Sequence, residues 1–271
     1  MSQNTYVAGP QDPNNHTHTI IFLHGRDSEC EEFAGEFFES EASIPVGQPR
    51  TLLDRLLNVR WVFPLAPVLP SARFGGAMSQ WFDMWSVENP EEQAELQKEG
   101  LQMSVGAILE VIRQEEKLVP RQNIFLGGIS QGFATALATF FSDGQGLAGL
   151  IGLCSWMPLN GVANSLIAPK QDETALFNAL QDAYLSQPDV KRVDPVAIKP
   201  TPVFLGHAED DEVVPIQNGK QMRDILHNLN LEVNFHEYQD GGHWINEPEG
   251  VDDIVDFVTK ICTQVETDES R

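Results

Sequence analysis

The chain has 271 residues, 41% of them hydrophobic and 21% charged, with 17 Lys and Arg against 40 Asp and Glu for a formal net charge of -23 at pH 7. That hydrophobic content excludes intrinsic disorder and is enough for one sizeable core. The acidic excess repels phosphate backbones and anionic headgroups, which argues against nucleic acid as a partner.

In chain order, short apolar runs alternate with helical patterns. Strands are predicted at Thr19 to Leu23, Val59 to Phe63, Asn123 to Leu126, Leu147 to Leu153, Pro202 to Leu205 and Val233 to Tyr238. Each is short and mostly apolar, as a strand buried on both faces must be. Helices are predicted at Glu31 to Glu39, Pro90 to Glu116, Gln131 to Phe141, Ile216 to Leu229 and Val251 to Val265. In the second, Leu101, Val105, Ile108, Leu109 and Ile112 recur at helical spacing, so one face is to pack on the sheet. This alternation predicts an α/β protein with a mostly parallel central sheet and helices on both faces.

Two stretches interrupt the rhythm, Ser40 to Arg50 and Pro158 to Pro200. Within the second, Asp172 to Tyr184 reads as a helix carrying Leu176, Leu180 and Tyr184. Both stretches read as insertions, the longer one over the strand ends as a lid or as surface decoration. With no internal repeat, low-complexity tract or linker, residues 1–271 are expected to form a single domain. Cys30, Cys154 and Cys262 are widely spaced and predict neither a disulfide framework nor a zinc site. No run approaches the ~20 apolar residues of a membrane span. Met1 to Pro10 lacks the basic and apolar regions of a signal peptide. A cytoplasmic location without a stable membrane anchor is the expectation.

The chemistry concentrates at Gly128-Ile129-Ser130-Gln131-Gly132. A bare Gly-x-Ser-x-Gly is a weak pattern, but this one follows a buried-strand run and opens a helix, the setting of a nucleophile elbow. Small residues must flank the serine for the turn to close, hence Gly128 and Gly132. A serine hydroxyl needs an adjacent base. His243, in Asp240-Gly241-Gly242-His243-Trp244, follows the last strand and precedes the last helix, so it can reach across the strand ends. The third member should come from the loop after Pro202 to Leu205, which reads Gly206-His207-Ala208-Glu209-Asp210-Asp211-Glu212-Val213-Val214-Pro215. Spacing alone does not separate Asp210 from Asp211.

These pieces resemble the acyl-protein thioesterase and carboxylesterase/phospholipase family of small α/β-hydrolases. The resemblance rests on Phe22-Leu23-His24-Gly25, Ser79-Gln80-Trp81-Phe82-Asp83, Gly128 to Gly132, Cys154-Ser155-Trp156-Met157-Pro158-Leu159, His207 to Pro215 and Gly241-Gly242-His243. They stand in the family's order and span Thr19 to Trp244. The resemblance implies an α/β-hydrolase fold with Ser130 as nucleophile, His243 as base and Asp211, rather than Asp210, as the acid. It also implies an oxyanion hole from the backbone N–H groups of Arg26 and Gln131. Arg26 departs from the apolar residue often found there. Its guanidinium is expected either to pair with Asp27 or Glu29 or to enter the pocket and attract an anionic substrate group.

Phe74, Trp81, Phe82, Met84, Trp85, Trp156, Met157 and Trp244 lie in or beside the matched loops and suggest an apolar acyl pocket. Trp81, Phe82, Trp156 and Trp244 are the substrate-binding candidates. The implied reaction is hydrolysis of a carboxylic ester or thioester through an acyl-Ser130 intermediate, with no metal or organic cofactor. The substrate is an acylated protein or a small lipid or metabolite ester; the insertions weigh against a bulky protein partner. Acyl transfer or a lyase reaction through the same triad, and a silent ligand receptor on the same fold, are the alternatives.

Overall fold

The computed structural model describes residues 4–10, 12–162, 173–185 and 192–269. Seven strands form the main sheet: β1 (Thr5–Ala8), β2 (His18–Leu23), β3 (Val59–Pro64), β6 (Ile124–Ile129), β7 (Gly149–Leu153), β8 (Val203–Ala208) and β9 (Val233–Tyr238), in the order β1-β3-β2-β6-β7-β8-β9. All neighbouring pairs are parallel except β1 with β3. A separate hairpin pairs β4 (Val68–Ser71) with β5 (Gly76–Ser79).

The six strands expected from apolar runs form the parallel part of the sheet, with shifted ends. β1 and the hairpin were not expected. β1 is a four-residue edge strand that is only half-buried, and Pro70 in β4 makes that run read as something other than a strand.

Successive side chains along a strand point to opposite faces, and the core divides accordingly. Ile21, Leu23, Leu126, Leu150 and Leu205 join one apolar cluster, with α3 (Gln97–Glu115), α4 (Gln131–Asp143), α5 (Glu173–Tyr184) and α7 (Ile216–Asn228). Ile20, Phe22, Phe125, Ile151 and Phe204 join the other, with α1 (Cys30–Phe37) and α8 (Glu249–Glu269). Two short helices, α2 (Leu52–Arg55) and α6 (Pro195–Ile198), lie between these elements. The expected Pro90 to Glu116 helix starts at Gln97, because the preceding chain turns through Gln93 at φ 51° and a 3-10 segment.

Helix α4 is buried from Gln131 to Ser142. A helix apolar all round must be enclosed, and α5 supplies one wall. Leu176, Phe177, Leu180 and Tyr184 of α5 are buried. The Phe177 ring lies 6.0 Å from that of Phe141, and Gln181 Nε2 donates to the Ser142 carbonyl at 2.9 Å. Helix α5 therefore packs on the nucleophile's helix near that helix's C-terminal end. Ser40 to Arg50 is likewise tied down. Arg50 pairs with Glu41 at 2.5 Å, and the Glu41 and Ser43 N–H groups donate to Glu247 and Asp252, both at 3.0 Å. Cys30, Cys154 and Cys262 form no disulfide.

Candidate active site

Four chain segments leave the carboxyl ends of parallel strands together, the place where open α/β sheets bind ligands. β6 ends at Ile129, and Ser130 turns at φ 57°, ψ -128° into α4. A non-glycine residue in that region costs about 1–3 kcal/mol and persists where surroundings enforce it. Here they do: Ser130 N–H donates to Leu153 O at 2.8 Å, and Ser155 Oγ donates to Ser130 O at 2.7 Å. The flanking glycines make the turn sterically possible. A Cβ on Gly132 would sit 2.2 Å from Leu23 O, and one on Gly128 2.6 Å from the same oxygen.

β8 ends at Ala208, and the chain turns so that Asp211 faces inward. Asp211 Oδ2 accepts from His243 Nδ1 at 2.8 Å, and Oδ1 accepts the N–H groups of Val213 and Val214 at 2.9 and 2.8 Å. His207 Nε2 lies 3.2 Å from Oδ2 and 2.9 Å from Val214 O. Burial pushes the Asp211 carboxyl up. The bonds from His207 and His243, the charge of His243 and the Val214 N–H outweigh it, and the carboxyl is held well below the usual range. Asp210 points elsewhere and accepts Gly242 N–H at 2.8 Å.

That bond fixes the base's loop, which reaches His243 through Gly241 at φ 127° and Gly242 at φ 60°, conformations costly for side-chain-bearing residues. With His243 Nδ1 turned to Asp211, Nε2 is the nitrogen free for proton transfer. His243 and Ser130 line one cavity of about 630 Å³.

After β2, His24 Nε2 accepts Ala66 N–H at 3.0 Å, so its proton sits on Nδ1, which donates to Gly25 O at 2.7 Å. Burial lowers the His24 pKa and favours this neutral form. One residue beyond Arg26, Asp27 N–H donates to Ser79 O at 2.7 Å. The Gln131 side chain bridges the neighbouring loop: Oε1 accepts Trp81 N–H and Nε2 donates to Phe82 O, both at 2.8 Å. Trp81 Nε1 in turn donates to His24 O at 2.9 Å. The two loops expected to supply oxyanion donors are thus strutted together through Trp81 and Phe82.

This corrects the reading of three substrate-binding candidates. Trp81, Phe82 and Trp156 are 0–1% exposed and lie in the core. The Trp81 and Phe82 rings pack in the apolar cluster, with the Trp81 indole N–H satisfied by His24 O. Trp244 does line the cavity, edge-on to Phe33 with centroids 5.6 Å apart. Phe33, Phe74, Met78, Val87 and Val213 complete an apolar wall. Arg26 also lines it. The expected pairing with Asp27 or Glu29 is replaced by stacking on Phe74, 5.2 Å from the ring centroid, and a 3.4 Å bond from Nη1 to Met84 O.

Sequence reasoning gave no role to His207, which only the turn between β8 and Asp211 brings onto the carboxylate. Cys154, His207 and Asp211 place donor atoms within 4.8 Å of one another, a spacing open to a cation. Each is committed otherwise. Burial, with the Asp211 charge second, pushes the Cys154 thiol pKa upward, and its Sγ donates to Trp244 O at 3.3 Å.

A parallel sheet flanked by helices, with a strained serine at a strand-to-helix turn and a carboxylate-bound histidine beside it, defines an α/β-hydrolase. A sequence model described as phospholipase/carboxylesterase matches residues 3–181 and 178–262. The chain belongs to that family of ester-cleaving serine hydrolases. It is 32% identical over 228 residues to acyl-protein thioesterase 1 of Yarrowia lipolytica, covering 83% of each chain. It is 28% identical to the Neurospora crassa protein of the same name, covering 92% of this chain and 89% of the other. Among solved structures, Zea mays acyl-protein thioesterase 2 superposes with a TM-score of 0.67 at 24% identity, covering 96% and 99% of the two chains. Arabidopsis thaliana SOBER1 gives 0.66 at 21%, covering 90% and 99%. No described helix is long and apolar enough to cross a membrane.

Proposed function

We propose that the protein hydrolyses a carboxylic ester or thioester through an acyl-Ser130 intermediate, with His243 as general base and Asp211 as its orienting acid. The observation that carries this reading is the 2.8 Å bond between His243 Nδ1 and Asp211 Oδ2 beside a serine held at φ 57°. His243 Nε2 takes the Ser130 proton as the hydroxyl attacks the carbonyl, while the ionised Asp211 stabilises the imidazolium. Backbone N–H groups of Arg26 and Gln131 stabilise the tetrahedral oxyanion. The imidazolium then protonates the leaving group, and a water activated by His243 releases the acid.

An S-acylated protein or peptide is the proposed substrate class, supported by relatives named acyl-protein thioesterase. The extra stretches no longer weigh against it: among the described residues, none between 158 and 200 lines the cavity. The test is a panel of p-nitrophenyl esters of increasing chain length, acyl-CoA thioesters and S-acylated peptides, assayed on wild type and Ser130→Ala. Turnover of the best substrate should fall on the order of a thousand-fold or more in the variant. Undiminished hydrolysis would remove Ser130 from the reaction. A preference for p-nitrophenyl esters over every thioester would shift the substrate to small oxygen esters.

A further inference from the structure

In a chain with 40 acidic and 17 basic residues, two arginines converge on Phe74, which lines the candidate pocket. The Arg26 guanidinium carbon lies 5.2 Å from the centroid of the Phe74 ring, and that of Arg73 lies 5.7 Å from the same centroid. Two like charges held against one ring repel each other. Arg73 has its own partners, the Trp85 carbonyl at 2.7 Å and the Glu88 carboxylate at 3.7 Å.

Arg26 is served less well. Half-buried, it donates to the neutral Met84 carbonyl at 3.4 Å, and no described carboxylate lies in ion-pair contact with it. Asp83, Asp27 and Glu88 act on it at longer range. Burial first, and Arg73 second, outweigh them and lower its pKa. Asp83 Oδ2 accepts Ala72 N–H at 3.0 Å, and its Oδ1 has no partner among the described residues, yet the carboxylate forms no ion pair with the guanidinium. Asp27 and Glu36, the acidic residues on the cavity lining, are solvent-exposed. A partly desolvated guanidinium held by a ring face and one carbonyl retains donors for a carboxylate or phosphate, either of which it can bind in bidentate fashion.

We propose that Arg26 is an anion-recognising residue of this pocket, so that the preferred ester or thioester carries a carboxylate or phosphate close to the scissile carbonyl. This rests on the reading of Ser130 as nucleophile and of the Arg26 N–H as an oxyanion donor, which puts the side chain beside the reacting group. The anion can belong to the acyl part or to the leaving group, and two substrate pairs separate these sources. On the acyl side, mono-p-nitrophenyl succinate is compared with p-nitrophenyl butyrate. On the leaving-group side, 4-acetoxybenzoate is compared with its methyl ester.

The readout is the ratio of kcat/KM for the anionic member to that for the neutral one. On at least one arm, Arg26→Gln should lower this ratio about tenfold, the effect of losing one charge-assisted contact. Arg26→Lys should keep part of it, and rising salt should lower the wild-type ratio. Equal ratios for wild type and Arg26→Gln on both arms overturn the proposal. Should Arg26→Gln not fold, a wild-type ratio unchanged by salt on both arms overturns it equally. Neutral-ester turnover that survives Ser130→Ala is a different failure: it removes the nucleophile assignment, and the placement of Arg26 with it.

Discussion

Asp210 and Asp211 are neighbours in the chain, and the turn after β8 gives them different work. Asp211 is 7% exposed, its carboxylate oxygens taken up by His243, His207 and two backbone N–H groups. Asp210 is exposed and holds the Gly242 N–H. Asp211→Asn keeps the volume but replaces an acceptor-only carboxylate with a group that can present N–H to the imidazole, favouring the wrong tautomer. Its kcat should fall on the order of a thousand-fold or more. Asp210→Asn retains an oxygen for Gly242 and should lose less than about tenfold, a loop adjustment rather than loss of the ionic partner. Steady-state kinetics on both variants checks this, and the reverse order would move the acid to Asp210. Sequence spacing left the two open because it carries no direction, and the side chain's direction depends on where the backbone turns. Ser130 was easier to read, since the two glycines stand beside it in a strand-to-helix pattern of five residues, although the space they leave is for the end of β2. Trp81, Phe82 and Trp156 misled because a position beside a site in the chain does not say whether a large ring faces the cavity or the core.

At the scale of elements, the contact between the end of β2 and the start of α4 sets the geometry of the site. Gly132 lies so close to Leu23 and His24 that an added Cβ would meet their carbonyl oxygens at 2.2 and 2.5 Å. Gly132→Ala should therefore push the elbow away from the Arg26 loop, costing about 3 kcal/mol of stability and most of the activity. Gly106 is the control. It is exposed within α3 and a Cβ there meets nothing within 4 Å, so Gly106→Ala should stabilise by about 0.5–1 kcal/mol through helix propensity. Urea unfolding of both variants measures the contrast; equal and small effects would mean that α4 can slide from β2 without cost. Strands β2, β6, β7 and β8 were legible because burial on both faces leaves a mostly apolar run. The β4–β5 hairpin was not, because its pairing depends on the partner strand and Pro70 hides it. Helix α5 was legible as a helix, while its place, as lid or as surface decoration, stayed open, since periodicity tells which face is buried and not against what.

For the molecule as a whole, acid is the condition that works against the fold, and the burial of β2 is a main reason. His18, at the start of that strand, is 2% exposed; its Nδ1 meets Thr17 Oγ1 at 2.9 Å and its Nε2 has no partner among the described residues. Burial, with the neighbouring His16 second, brings its pKa down to about 4. His16 is lowered by burial and then by Arg60, and His24 by burial. A histidine of the unfolded chain titrates near about 6.5. Between about pH 6.5 and 4 the unfolded state therefore binds more protons, and stability falls as the pH falls through that window, being fully present above it. Asp211 adds a further loss below the ordinary aspartate value of about 3.9, because its folded pKa is depressed. The large negative charge acts in the other direction, since protonating carboxylates relieves their mutual repulsion. Those groups titrate mostly near about pH 4, and salt screens them. At elevated salt, the unfolding free energy from urea melts should therefore drop between about pH 6.5 and 5. His18→Leu, which removes the largest of these shifts and an unpaired buried nitrogen, should flatten that slope whatever it does to stability at neutral pH. A wild-type curve already flat across the window would show that protons reach these histidines without loosening β2.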